Sequence, residues 1–228
     1  MSGIFDGISA AGWKAGWEPG KEIFTGYEKE VEAIEKKYDA ASSAGCTVFY
    51  GASNFRMWKN MDRDLAQFNA QNHGFGGATD VLLMHYAGRI LIPYAPSLIV
   101  VQSGSNDYMG LTGSLQEKAE TSLALKKRMY GYFHEALPKA RIAALSALLM
   151  PGFEKATELS LLINAGLKTF CEEHGWMTFI DADALTFSGG AYRTDLFKSD
   201  GIHLNRDGQL ALCEGYIRPA LEMIRSGK

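Results

Sequence analysis

Apolar runs of strand length alternate with longer amphipathic stretches through most of this chain, and that alternation constrains its fold more than any other feature. "CTVFY" (46–50), "LIVVQS" (98–103), "RIAALSA" (141–147) and "MTFID" (177–181) read as buried strands, with "FNAQNHG" (68–74) a weaker fifth. Between and around them lie five segments with apolar residues three and four apart: 20–41, 80–91, 114–137, 154–175 and 207–226. Strand and helix in alternation imply a parallel sheet covered on both faces, and right-handed crossovers close it as a doubly wound sandwich. The expected class is therefore α/β, a three-layer α/β/α arrangement.

The chain has 228 residues, no Pro/Ser-rich or charge-rich linker and no internal repeat, so it reads as a single domain spanning 1–228. Residues 1–44 are expected to form a helical extension packed on a core of about 45–226. Hydrophobic residues make up 46% and charged residues 21%, which excludes the disordered class. Lys plus Arg number 23 against 26 Asp plus Glu, a balance with no electrostatic footprint for nucleic acid or an anionic membrane. A small neutral substrate suits it better. Three cysteines, Cys46, Cys171 and Cys213, stand far apart with no CxxC, so neither a disulfide framework nor a metal site is expected, and no cofactor is implied. With no basic n-region followed by an apolar run, and no apolar stretch of membrane-spanning length, the expected location is cytoplasmic.

In a parallel sheet of this kind ligands gather beyond the carboxyl ends of the strands, and the stretches that follow those ends carry the chemistry. The first strand runs into Gly51-Ala52-Ser53-Asn54, where small residues and a hydroxyl replace bulky side chains. "NHGFGGATD" (72–80) places three glycines before Thr79 and an amphipathic helix, a loop whose backbone N–H groups can approach an anion closely. "SGSNDY" (103–108) puts the Asn106 amide just past a strand. "KSDGIHLNRDG" (198–208) sets Asp200 and His203 three apart, a spacing that lets the carboxylate meet Nδ1 of the imidazole.

These parts suit acyl transfer. A serine hydroxyl becomes a nucleophile when an imidazole accepts its proton, and a carboxylate fixes the tautomer of that imidazole. The Ser53 N–H, the Gly77 N–H and the Asn106 amide supply three donors for an oxyanion.

Competing readings exist for each part. Ser53 taken alone is a turn residue or helix cap, and Asn106 with Asp107 forms an Asx turn. "GFGGAT" fails the GxGxxG nucleotide pattern because Thr79 stands at the third glycine position. His73, His85, His134 and His174 have no metal-like pairing, although His73 adjoins the glycine loop and is a candidate pocket residue. The charges of 28–37 read as a solvated helix face with i,i+4 pairs. Trp13, Trp17, Phe24 and Tyr27 either cap the core or form a subunit contact, which leaves a homo-oligomer open.

Taken in order, "FYGASN", "NHGFGGATD", "VQSGSND" and "DGIHLN" resemble the blocks of the SGNH hydrolases, the GDSL-type esterase and lipase superfamily, over residues 46 to 208. The resemblance implies Ser53 as nucleophile, His203 as general base, Asp200 as its orienting acid, and Gly77 and Asn106 as oxyanion donors. It also implies a flavodoxin-like fold with a central five-stranded parallel sheet. Gly51-Ala52-Ser53 replaces the Gly-Asp-Ser of the name-giving motif, which leaves the nucleophile in place but gives no basis for naming a subfamily. The expected activity is ester hydrolysis through an acyl-enzyme, with short-chain carboxylic esters as substrates and acetylated carbohydrates, thioesters or lysophospholipids as the alternatives. A non-catalytic binding protein on the same scaffold is the competing class. Around the centre, Asn54, His73, Tyr108, Phe187 and Tyr192 are candidate substrate-binding residues, the last two with Tyr108, Met109 and Leu111 walling a small apolar slot.

Overall fold

The computed structural model describes residues 26–227. Trp13, Trp17 and Phe24, and the start of the helix expected over 20–41, lie outside the described residues. In chain order the elements are α1 (Glu28–Lys37), β1 (Thr47–Gly51), α2 (Ser53–Arg56), α3 (Met61–Asp64), β2 (Ala70–Asn72), α4 (Asp80–Ile90), β3 (Leu98–Gln102), α5 (Leu115–Ala136) and β4 (Arg141–Leu145). They continue with α6 (Thr157–Glu172), β5 (Met177–Ile180), α7 (Asp183–Thr186), β6 (Phe187–Ser188), β7 (Ala191–Tyr192), α8 (Arg206–Leu212) and α9 (Arg218–Arg225). The first five strands form one parallel sheet in the order β2-β1-β3-β4-β5. Helices flank both of its faces, the three-layer sandwich expected from the alternation.

Side chains alternate across the sheet with period two. Val48, Tyr50, Ile99, Val101, Ile142 and Ala144 meet the apolar stripes of α1, α4, α5 and α6 on one face. Phe49, Leu98, Val100, Ala143 and Leu145 meet Phe55, Met61, Leu212 and Leu221 on the other. Because both faces are covered, β1 and β3 are buried at every position, which is why they read as continuous apolar runs and not as alternating ones. All three cysteines are free and buried. Among the described residues no helix is long and apolar enough to cross a membrane.

Helix starts follow ordinary capping chemistry. Ser114 and Glu117 form a capping box at α5, Thr79 Oγ1 accepts from the Leu82 N–H at α4, and Asn205 Oδ1 accepts from the Gly208 N–H at α8. The helix expected over 207–226 is interrupted by a π turn at Cys213–Ile217. Pro219 explains it: with no N–H to give the Gly215 carbonyl and a ring that crowds it, the helix widens by one residue there.

The reading of the α1 charges needs correction. The charges of α1 do not pair along the helix: Arg89 of α4 holds Glu28 at 2.6 Å and Glu35 at 2.7 Å, and Lys37 reaches Asp62 at 2.7 Å. This side of α1 faces neighbouring elements, so its charges find partners there. Tyr27 packs edge-on against Phe75 with ring centroids 6.0 Å apart, and thus caps the core. Residues 184–199, which carry the candidate slot residues Phe187 and Tyr192, contain α7 and the antiparallel β6–β7 hairpin, whose turn residues Gly189 and Gly190 both have positive φ.

An ionic pair is buried between α5 and the start of α4. Lys126 of α5 is buried with Nζ 3.1 Å from Asp80 Oδ2 and 3.0 Å from Ser103 Oγ, and Asp80 itself is inaccessible. Removing one partner of a buried pair leaves the other charge uncompensated. Lys126→Met is therefore expected to cost about 3–5 kcal/mol of stability, read by urea denaturation, and adding Asp80→Asn is expected to recover part of that loss.

Candidate active site

The sheet's carboxyl edge gathers the four marked stretches into one cleft of about 440 Å³. β1 ends at Gly51, opposite Gln102 of β3. A Cβ on Gly51 would lie 2.3 Å from the Gln102 carbonyl oxygen, so only glycine allows the two strand ends to meet here. The chain then turns through Ala52, and Ser53 opens α2. This puts the Ser53 N–H in the first turn of a helix, where backbone donors have no partner within the helix.

Opposite Ser53 stands the 197–204 segment, closed on itself by the Phe197–Leu204 bridge and by Lys198 N–H to the His203 carbonyl at 2.8 Å. His203 Nε2 lies 2.9 Å from Ser53 Oγ, and His203 Nδ1 lies 2.7 Å from Asp200 Oδ2. Asp200 Oδ1 also accepts from the backbone N–H groups of His203 at 2.9 Å and Ile202 at 2.8 Å. Those bonds, the His203 backbone donor first and its imidazole next, hold the Asp200 carboxyl down at about 2. An ionised Asp200 accepts a hydrogen bond from Nδ1–H, and that tautomer leaves the Nε2 lone pair aimed at the serine hydroxyl. Asn54 Oδ1 accepts from Leu204 N–H at 3.3 Å and ties the serine turn to the histidine segment.

The candidate donors Gly77 and Asn106 lie beyond the other two strand ends. Gly77 has φ +71°, a conformation L side chains rarely adopt, and lines the cleft beside Ser53. One N–H of the Asn106 amide donates to the Ala78 carbonyl at 2.9 Å. That bond orients the amide and leaves its second N–H for the cleft. Beneath them the Asp80 N–H donates to Asp107 Oδ1 at 3.1 Å. The Lys126–Asp80–Ser103 cluster thus fastens the glycine loop to the turn that carries Asn106.

Of the candidate substrate-binding residues, Asn54 lines the cleft. His73 does not: it is wholly buried, its Nδ1 lies 2.5 Å from the Ile90 carbonyl oxygen, and its ring stacks on Tyr38 and meets Tyr94 edge-on. The backbone beyond β2 keeps its extended course, so His73 points to the face opposite Asn72, into the core. Burial pushes its imidazole down to about 4. Tyr108 and Met109 line a separate groove with Phe153 and Leu159. Phe187 and Tyr192 pair across the hairpin, centroids 4.8 Å apart, and the Tyr192 hydroxyl bonds that of Thr157. The Gly189-Gly190 turn folds these rings back against the start of α6, away from the cleft. The apolar wall is instead Leu148, Met150 and Ile202. Glu30 and Arg56 also line the cleft, and sequence reasoning missed both.

A parallel-sheet α/β/α sandwich with this grouping beyond its strand ends is the architecture of a class of ester hydrolases. The model of the GDSL-like lipase/acylhydrolase family matches residues 43–211, and the chain belongs to that family, a hydrolase acting on ester bonds. No curated protein matches it in sequence. Among solved structures it is similar to a protein assigned as an acylhydrolase from Bacteroides fragilis, with TM-score 0.71, 18% identity, and 90% of this chain and 99% of that one covered. A GDSL-like lipase from Bacteroides thetaiotaomicron superposes with TM-score 0.65 at 17% identity, covering 87% and 96%. A carbohydrate esterase of family 3 from Talaromyces cellulolyticus gives TM-score 0.55 at 14% identity, covering 80% and 99%.

The pH dependence of stability follows from Asp200. Its folded value, about 2, lies below the unfolded carboxyl value near 3.9, so its contribution is complete above about pH 4 and is lost as pH falls through about 2. Urea denaturation at pH 5 and pH 2.5 is expected to show a larger loss for the wild type than for Asp200→Asn.

Proposed function

We propose that the protein is a serine acylhydrolase that cleaves short-chain carboxylic esters through an acyl-enzyme on Ser53. The observation that carries this reading is the unbroken chain Ser53 Oγ, His203 Nε2, His203 Nδ1, Asp200 Oδ2, with links of 2.9 and 2.7 Å, opening onto a cleft that also holds Gly77 and Asn106. His203 accepts the hydroxyl proton as Ser53 attacks the ester carbonyl. Negative charge then builds on the carbonyl oxygen, where the N–H groups of Ser53 and Gly77 and the free N–H of Asn106 are its donors. The imidazolium, steadied by Asp200, returns the proton to the departing alcohol. Water attacks the acyl-enzyme by the same route and regenerates Ser53.

The cleft's composition bears on the substrate. Leu148, Met150 and Ile202 make a short apolar wall, suited to an acyl group of two to four carbons, while Asn54, Arg56 and Ser105 present polar atoms. A polar alcohol, such as a sugar hydroxyl, fits that second set. The likeness to a carbohydrate esterase is in keeping with it. A cytoplasmic location is proposed with it.

A serine-directed phosphonate is expected to label Ser53 stoichiometrically, and an unlabelled, inert protein would point to the non-catalytic binding class. Ser53→Ala and His203→Ala are each expected to remove nearly all turnover while the protein stays folded, with the double variant hardly worse than either. Residual activity above about one part in a hundred in Ser53→Ala moves the nucleophile elsewhere. Across p-nitrophenyl esters, kcat/KM is expected to level off beyond butyrate, because further methylenes stay in water and forgo the roughly 0.8 kcal/mol each gains on burial. A steady rise to palmitate would contradict the short wall.

A further inference from the structure

Gly77 belongs to a loop of three glycines in four residues, and glycine has no side chain with which to fix its own peptide planes. A donor that stabilises a transition state must already be aimed before charge develops. Something else must hold this one. Capping of α4 by Thr79 and the Asp80–Lys126 pair secure the loop downstream of Gly77. Upstream, the neighbouring residue has an unexpected partner: the Gly76 N–H donates to Glu30 Oε2 at 2.6 Å, a side chain 46 residues earlier, on α1.

That bond is short and charge-assisted, the stronger kind of backbone contact. It is also well supported. α1 is seated in the core through Val31 and Ile34, the residues that follow Glu30 by one and four positions. The second Glu30 oxygen lies 3.4 Å from Arg56 Nη1. The Arg56 side chain in turn covers Gly76 so closely that a Cβ there would lie 3.0 Å from Nε. Tyr27, just before α1, brings its hydroxyl to 3.5 Å from where a Gly77 Cβ would stand. Only the φ and ψ of Gly76 separate the peptide anchored by Glu30 from the peptide that carries the Gly77 N–H.

We infer that Glu30 is a positioning residue for the Gly77 oxyanion donor, so that α1, outside the strand-end blocks, is a working part of the site. The inference rests on the reading of Gly77 as such a donor. What Glu30 supplies is an acceptor for the Gly76 N–H, and a glutamine carbonyl at the same place can supply it too. The side chain is half-exposed, so its replacement leaves the fold intact.

The test uses the full chain with Glu30→Ala and Glu30→Gln, read by steady-state kinetics on p-nitrophenyl acetate and by amide hydrogen exchange over residues 75–77. Glu30→Ala is expected to lower kcat by about 10- to 100-fold with KM within about threefold, as befits an interaction realised in the transition state, and to speed exchange at Gly76. Glu30→Gln is expected to restore most of both. With an active wild type, an unchanged kcat and unchanged exchange in Glu30→Ala overturn the inference. So does an equal loss in both variants, which would make the charge the cause, or a rise in KM alone, which would make Glu30 a substrate contact. A wild type that neither turns over esters nor takes up phosphonate at Ser53 overturns the functional reading itself, and the catalytic role of Glu30 with it.

Discussion

The buried pair of Lys126 and Asp80 is the interaction on which the arrangement of the site depends. An ammonium and a carboxylate taken out of water cost several kcal/mol each unless they meet one another and fill their remaining hydrogen bonds. Here Lys126 Nζ reaches both Asp80 carboxylate oxygens and Ser103 Oγ, while the Asp80 backbone N–H is bound to Asp107. The members come from α5, from the end of β3, from the start of α4 and from the turn after β3. An apolar cluster at this place would be no less stable, but it would tolerate sliding. A paired charge does not, because a shift of an ångström or two leaves it unsatisfied in a low dielectric. The oxyanion donors proposed for Gly77 and Asn106 stand three residues and one residue from members of that cluster.

The same logic recurs at the next strand end. Asn164 of α6 is buried, takes the Ala147 N–H at 2.9 Å and gives to the Ala147 carbonyl at 3.0 Å, while Ser146 Oγ accepts from the Ala182 N–H at 3.0 Å. Once β4 ends, its backbone loses its ladder partners, and these side chains replace them. Leu148 and Met150, the apolar wall of the cleft, follow directly. The segments that follow β3 and β4 are thus tied by buried polar side chains of α5 and α6.

The serine–histidine side is built differently. Asp200 is partly exposed, and its carboxylate is held ionised by three N–H donors from its own segment. A single short stretch therefore carries both the acid and the imidazole with their mutual geometry, and the fold has only to set it against Ser53. Gly152 N–H to the Gly201 carbonyl at 2.9 Å and Asn54 to Leu204 do that. Local geometry makes the His–Asp unit; two long-range hydrogen bonds aim it.

The sequence by itself determined what local physics can encode. Continuous apolar runs marked the strands because both faces of the sheet are covered, and apolar residues three and four apart marked the helices because that spacing sets them on one face. Asp200 with His203 was legible because the pair is three residues apart, and Ser53, Gly77 and Asn106 because strand ends fix where such residues can act. His73 was misread because adjacency to a loop does not say which face a side chain takes; one further residue of extended backbone sent it into the core. Phe187 and Tyr192 were misread because nothing local says that the Gly-Gly turn between them closes a hairpin that folds them away. Tertiary structure alone decided the partners of Lys126, 46 residues from Asp80, and of Glu30, 46 residues from Gly76. A charge in an amphipathic helix carries no local mark of whether water or a distant loop will receive it. The difference lies in which elements the closed sheet brings within 3 Å, and that is settled only when the whole chain has packed.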